Sequence, residues 1–247
     1  MFKDLVRGIK TYSGVFEIMS KLGLWKYFIV PMIISVVTAI AIGFSAYGFS
    51  DNIGQYIAKI WVWEWGSETF RTVSDILGGI MIVALGLILY KHIVMALSAP
   101  FMSPVSEKIE AHLVGENSEY RKTTFGAQLW RGIRINVRNL SLELLFSIPI
   151  FILGFFPVIG LIAPIILFFM QAYYAGFGNM DYTLERRLNY SESIRFVGRR
   201  KGLAIGNGAV FMAMLFIPVI GFIIVLPLSV TAASIQTIEV LHPQLKQ

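Results

Sequence analysis

The side chains in this chain that could do chemistry are mostly cations. Arg131, Arg134 and Arg138 recur at i, i+3 and i+7 on one helical face, opposite Phe125, Leu129, Ile133 and Val137. A second basic stretch holds Arg186, Arg187, Arg195, Arg199, Arg200 and Lys201. Such groups attract anions, either small inorganic ones or the phosphates of lipid headgroups. Carboxylates with enzymatic spacing are scarce. Glu143, Asp181 and Glu185 lie near the apolar segments, and no His or Cys partners them at a motif spacing. Asp181 and Glu185 are expected to pair with Arg186, Arg187 or lipid-side basic groups. No enzymatic activity is expected. There are no cysteines, and the three histidines (His92, His112, His242) show neither HxxxH nor HExxH spacing. Disulfides and thiolate catalysis are excluded, and neither a metal nor any other cofactor is expected. P-loop, GxGxxG and GxSxG fingerprints are absent.

The elements that must position these cations are oily. Of 247 residues, 56% are hydrophobic, and the mean hydropathy is +0.69. That composition is an integral membrane protein's, read here as one membrane domain over 1–247. A net charge of +6 then points to the anionic cytoplasmic leaflet and not to nucleic acid.

Residues 1–26 open with Phe2, Leu5, Val6, Ile9, Tyr12, Phe16 and Met19 at helical spacing, interleaved with Lys3, Arg7 and Lys10. This is an amphipathic helix suited to a bilayer surface, not a signal peptide. Residues 27–49 carry no charge and form a first transmembrane helix. Its Ser35, Ala39 and Gly43 make a smooth face for helix packing. Trp61, Trp63 and Trp65 read as an interfacial aromatic belt. Residues 72–90 form a second transmembrane helix, with Lys91 snorkelling at its end. Ser103-Pro104 reads as the start of a water-facing helix, and Thr123 or Thr124 caps the next.

The tetrapeptide Pro-Val-Ile-Gly occurs twice in the oily C-terminal half, at 157–160 and 218–221. Proline lacks the N–H and glycine readily takes turn angles, so each copy should turn the chain back on itself. Two helical hairpins follow, over 139–176 and 203–238, each preceded by a basic segment. Their arms are about 15–18 residues against the ~20 of a usual span, so they dip into the bilayer partly or fully. Tips left in lipid need cover from the two long helices or from an oligomer. The fold class expected is therefore all-α integral membrane, with two long transmembrane helices and two Pro/Gly-tipped hairpins.

Of 21 Lys and Arg, only Lys59 and Arg71 lie between the first two spans. The positive-inside rule then places both termini in the cytoplasm.

In combination, several short stretches resemble the CysZ sulfate permease family and its eukaryotic etoposide-induced relatives. They are Gly23-Leu24 with Trp25-Lys26 and Pro31, Ala99-Pro100-Phe101, Glu185-Arg186-Arg187 and the two proline hairpins. The resemblance covers most of the chain. It implies an oligomeric permease that moves sulfate across the bacterial inner membrane. It also implies an anion-binding loop at Gly23, Leu24 and Lys26, with Trp25 where the family carries arginine. Two readings of that loop stand. In one, helix-start amides and Lys26 hold an anion, Lys26 acting as a point donor without arginine's fork. In the other the loop is a hinge, with Lys26 at the headgroups. Arg131, Arg134, Arg138, Arg199, Arg200 and Lys201 concentrate anions or bind anionic lipid. The alternative to transport is a structural, membrane-organising protein whose hairpins act as wedges.

Overall fold

The computed structural model describes residues 1–58, 67–115, 121, 123–153, 157–217 and 219–243. Trp61, Trp63 and Trp65, Lys59, Phe156 and Pro218 lie outside the described residues. Every regular element described is an α-helix. They are α1 (Phe2–Lys10), α2 (Val15–Lys21), α3 (Trp25–Ala58), α4 (Ser67–Val114) and α5 (Phe125–Leu153). After these come α6 (Pro157–Leu184), α7 (Tyr190–Arg199), α8 (Lys201–Leu215) and α9 (Ile220–Leu241). Among the described residues, four stretches are long and apolar enough to cross a membrane: Trp25–Ser45, Leu85–Val114, Leu161–Leu184 and Gly221–Leu241. The protein is an all-helical membrane protein.

Two local expectations change. Ser103 and Pro104 do not start a helix, because α4 runs unbroken through Pro100 and Pro104. A membrane helix tolerates such prolines when neighbours satisfy the freed carbonyls. Here Pro100 releases the Ala96 carbonyl, and α5 approaches it at a glycine: a Cβ added to Gly132 would sit 2.9 Å from Ala96 O and 2.5 Å from Ala99 Cβ. The two tips also differ from one another. Pro157 is the first residue of α6, so Val158–Gly160 continue a helix, as proline at a helix start permits. At the second tip α8 ends at Leu215, and Val219, with φ +64°, precedes α9. Left-handed backbone is strained for a β-branched residue. Thr124 caps α5, its Oγ1 accepting from Ala127 N at 3.3 Å.

The helix that the others surround is α9. It packs against α3, α4, α6 and α8, and from Val225 through Ile238 almost every residue is buried. Ser229, Thr231, Ala232, Ala233, Ser234 and Thr237 keep it thin, which lets neighbours close in on all sides. Small residues also join the hairpins to each other. Ala172 and Gly176 on α6 meet Ala204 and Gly208 on α8, two small-xxx-small pairs in direct backbone contact. The amphipathic α1 docks on α8 through Gly8, Gly202 and Gly206. Arg7 pairs with Glu239, and the Tyr12 hydroxyl lies 2.9 Å from Asn207 O and 2.7 Å from Ser229 Oγ. Ser35 of α3 bonds the Tyr90 hydroxyl and the Phe222 carbonyl, using the smooth face that its spacing suggests.

Candidate functional site

The Gly23 loop closes α2. Gly23 has φ +61°, Gly23 N donates to Ser20 O (3.2 Å), and Leu24 N donates to Met19 O (2.9 Å). This is a Schellman cap, and its Leu24 and Met19 side chains are both buried in the same core cluster. The amides of Gly23 and Leu24 are therefore engaged within the protein, and the Leu24 side chain is buried. What remains for a ligand is the first turn of α3, at Trp25 and Lys26. Lys26 gains a partner that its sequence neighbours do not reveal. Lys26 Nζ lies 5.3 Å, and Lys108 Nζ of α4 5.8 Å, from the centre of the Tyr27 ring. Two exposed ammonium groups thus flank one aromatic face beside a helix N-terminus, an arrangement that suits an anion.

Arg131, Arg134 and Arg138 do share a face, and it meets the neighbouring helices, with Arg134 itself still exposed. Arg131 grips Asp181 bidentately (Nε–Oδ2 3.1 Å, Nη2–Oδ1 2.9 Å) and reaches Leu188 O and Ser193 Oγ. Arg134 stacks over Tyr190 at 3.9 Å, and Arg138 lies 5.6 Å from the Phe177 ring. These three hold α5 to α6 and α7. Asp181 therefore pairs with Arg131, whereas Arg186 and Arg187 both bond Glu110, which His242 Nε2 also meets at 3.2 Å. Arg199, Arg200 and Lys201 remain exposed where α7 meets α8.

Glu185, one turn after Asp181, is buried beside it. Burial, then the Asp181 charge, raises its carboxyl from an ordinary 4.5 to about 7, against the opposing pull of Arg131, Thr123 and Arg186. A group that holds its proton more tightly when folded stabilises the fold below its unfolded pKa. That stability is lost as pH rises through the folded value. We expect Glu185→Gln to gain on the parent by roughly 3 kcal/mol between pH 4.5 and pH 8. Melting curves in detergent at the two pH values would show it, and a constant gap would exclude it.

The site that sequence reasoning missed lies deep between α4, α5 and α6. Lys91 does not snorkel. It is fully buried, and its Nζ donates to Glu143 Oε1 at 2.6 Å and to Gln171 O at 3.3 Å. Gln171 is near the middle of the Leu161–Leu184 span. His92 Nε2 faces Glu143 Oε2 at 2.9 Å, and His92 Nδ1 faces Asn136 Oδ1 at 3.2 Å. Asn136 Nδ2 donates to Gly132 O (2.9 Å), which turns Oδ1 toward the ring, so Nδ1 carries a proton. A second proton must then lie between Nε2 and Oε2, as imidazolium with carboxylate or imidazole with acid. Either way the His–Glu pair is neutral, and a charged Lys91 makes the cluster cationic. On the same face of α5, Asn139 Nδ2 and Ser147 Oγ are buried without a hydrogen-bond partner among the described residues. Charges inside apolar helices were the signal for this cluster. The contacts that reveal it join residues 51 and 52 positions apart.

Helices long enough to span, closed around a buried ionic cluster, define the class: a multi-helix membrane protein with a polar interior. The chain belongs to the family described as sulfate transporter CysZ/etoposide-induced protein 2.4, whose pattern matches residues 12–225. That is a transporter family, not an enzyme family. A protein of Pseudomonas syringae pv. tomato named sulfate transporter CysZ is 25% identical over 142 residues, covering 56% of each chain. One of the same name from Pseudomonas fluorescens SBW25 is 25% identical over 159 residues, 61% of this chain and 62% of the relative. A third, from P. fluorescens Pf0-1, is 23% identical over 175 residues, 68% of this chain and 69% of the relative. The match thus spans less than two thirds of the first two relatives.

Proposed function

We propose that this protein is an anion permease that carries sulfate or a similar oxyanion across a bacterial inner membrane. Both termini are cytoplasmic, and the chain works as a homo-oligomer. Its relatives' names supply the substrate class. The observation that carries the reading is the buried Lys91–Glu143–His92 cluster. An ionisable group inside a span is costly and marks an ion path by default. A purely wedge-like membrane organiser has no use for one. Lys26 and Lys108 collect the anion at the mouth, and Gly23 and Leu24 form the rigid cap that fixes Lys26. Lys91 has three donors and spends two on Glu143 and Gln171, leaving one for a passing anion. Since Lys91 is fully buried, this conformation is closed, and passage requires α4, α5 and α6 to part.

The test is uptake of radiolabelled sulfate by proteoliposomes. The parent should exceed empty vesicles, and Lys26→Ala with Lys108→Ala should cut uptake roughly thirtyfold, the scale of two surface cations at about 1 kcal/mol each. Flux equal to empty vesicles, above all with visible tubulation of the liposomes, would replace the permease by the membrane-organising reading.

A further inference from the structure

A cavity of about 480 Å³ opens beside α7, away from the Lys91 cluster. Its lining combines Arg195, Arg199 and Arg200 with the apolar Leu188, Phe196 and Val240, and includes Glu192. Its depth in the bilayer follows from the spans. The α6 span ends at Leu184 and the α9 span at Leu241, while the apolar α8 begins at Lys201. Residues 188–200 and Val240 therefore sit where three apolar helices leave the hydrocarbon, at headgroup level.

Positive charge is in excess there, three arginines against one carboxylate, Glu192. Four arginines elsewhere have carboxylate partners within the protein, Arg7 with Glu239, Arg131 with Asp181, Arg186 and Arg187 with Glu110, while Arg134 and Arg138 lie against aromatic rings. Among the described residues, Arg195, Arg199 and Arg200 make no such pair. The one carboxylate lining the cavity, Glu192, is engaged by its capping box, where its Oε2 accepts from Asn189 N at 2.8 Å. Arg195 and Arg199 are one turn apart on α7. Arg200 is the bend residue that closes α7 and opens α8 (φ −118°, ψ +35°), which brings the positive end of the α8 dipole to the same corner. Three arginines and three apolar side chains lining one cavity match an amphiphile whose phosphate meets the arginines and whose glycerol and upper acyl carbons meet Leu188, Phe196 and Val240. A free inorganic anion would make no use of the apolar wall.

We propose that this cavity binds the headgroup of an anionic phospholipid. Its occupant bridges α7, the start of α8 and the end of α9, and so clamps the corner between the two hairpins. The site is separate from the transport path and stands whether or not the protein carries sulfate.

The test uses full-length protein in neutral detergent, titrated with phosphatidylglycerol or phosphatidylcholine, with bound lipid counted by native mass spectrometry. Phosphatidylglycerol should bind at least tenfold more tightly than phosphatidylcholine, and inorganic phosphate at the same concentration should not displace it. Arg199→Gln should weaken phosphatidylglycerol binding about fivefold, the scale of one surface cation, and Arg195→Gln/Arg199→Gln/Arg200→Gln should abolish the preference. Lys26→Gln should leave it intact. Equal binding of both lipids, displacement by phosphate, or a triple variant that keeps the preference would each overturn the proposal. Should the triple variant fail to fold, the Arg199→Gln titration decides alone, and unchanged affinity there overturns it.

Discussion

Glu143→Ala should lower the melting temperature of the purified protein by on the order of 10 °C. The change leaves Lys91 and His92 in a site with no access to water. Breaking a buried ion pair by removing one partner costs about 3–5 kcal/mol, because the remaining charge is uncompensated. For a chain of this length each kcal/mol moves the transition by about 2–4 °C. The matching double change, Lys91→Met with Glu143→Gln, should recover most of the loss. Glutamine can still donate an N–H to His92 Nε2, and methionine fills the lysine's volume without its charge. Transport should separate from stability in that double variant: it should fold, yet its sulfate uptake should fall to that of empty vesicles, because no cation remains in the interior. A folded double variant with parental uptake would remove the cluster from the ion path. A stable Glu143→Ala single variant would show that water reaches Lys91.

Gly208→Leu should be the most damaging change on the hairpin seam. Even a Cβ at this position would lie 1.7 Å from Ala172 O, and one at Gly176 would lie 1.8 Å from Ala204 O. These obstacles are backbone atoms and cannot rotate away, so α6 and α8 would have to separate along their length. Overpacking of ordinary cores costs about 1–3 kcal/mol, and two helices pushed apart should reach or pass the upper figure. Gly208→Ala gains up to about 1 kcal/mol of helix propensity and should still destabilise. Gly198 on α7 is the contrast, since nothing lies within 4 Å of its added Cβ. Gly198→Ala should stabilise by about 0.5–1 kcal/mol. Opposite signs for the two alanine substitutions in detergent melts would support the seam, and equal signs would contradict it.

Much of the architecture is legible along the chain, because the bilayer leaves few options. An uncharged run from 27 to 49 must become a helix, since lipid offers its backbone no partners. The same constraint makes the oily C-terminal half two pairs of helices. The capping of α5 at Thr124 was likewise local. The start expected at Ser103-Pro104 does not form, since α4 runs on through both Pro100 and Pro104, with Gly132 of α5 packed closely against Ala96 and Ala99. The basic stripe of α5 was correctly placed on one face, but periodicity cannot say whether that face meets lipid or α6 and α7.

By itself, then, the sequence determined the class of solvent and the all-helical fold, both set by hydropathy over short windows. Only the tertiary structure decided where the charges go. Lys91 looks like a snorkelling residue until Glu143 and Gln171 are brought to it from two other helices. Lys26 looks solitary until Lys108 reaches the same ring. The physical reason is that a buried charge is tolerated only by partners that compensate it. In this protein those partners come from helices far apart in the chain.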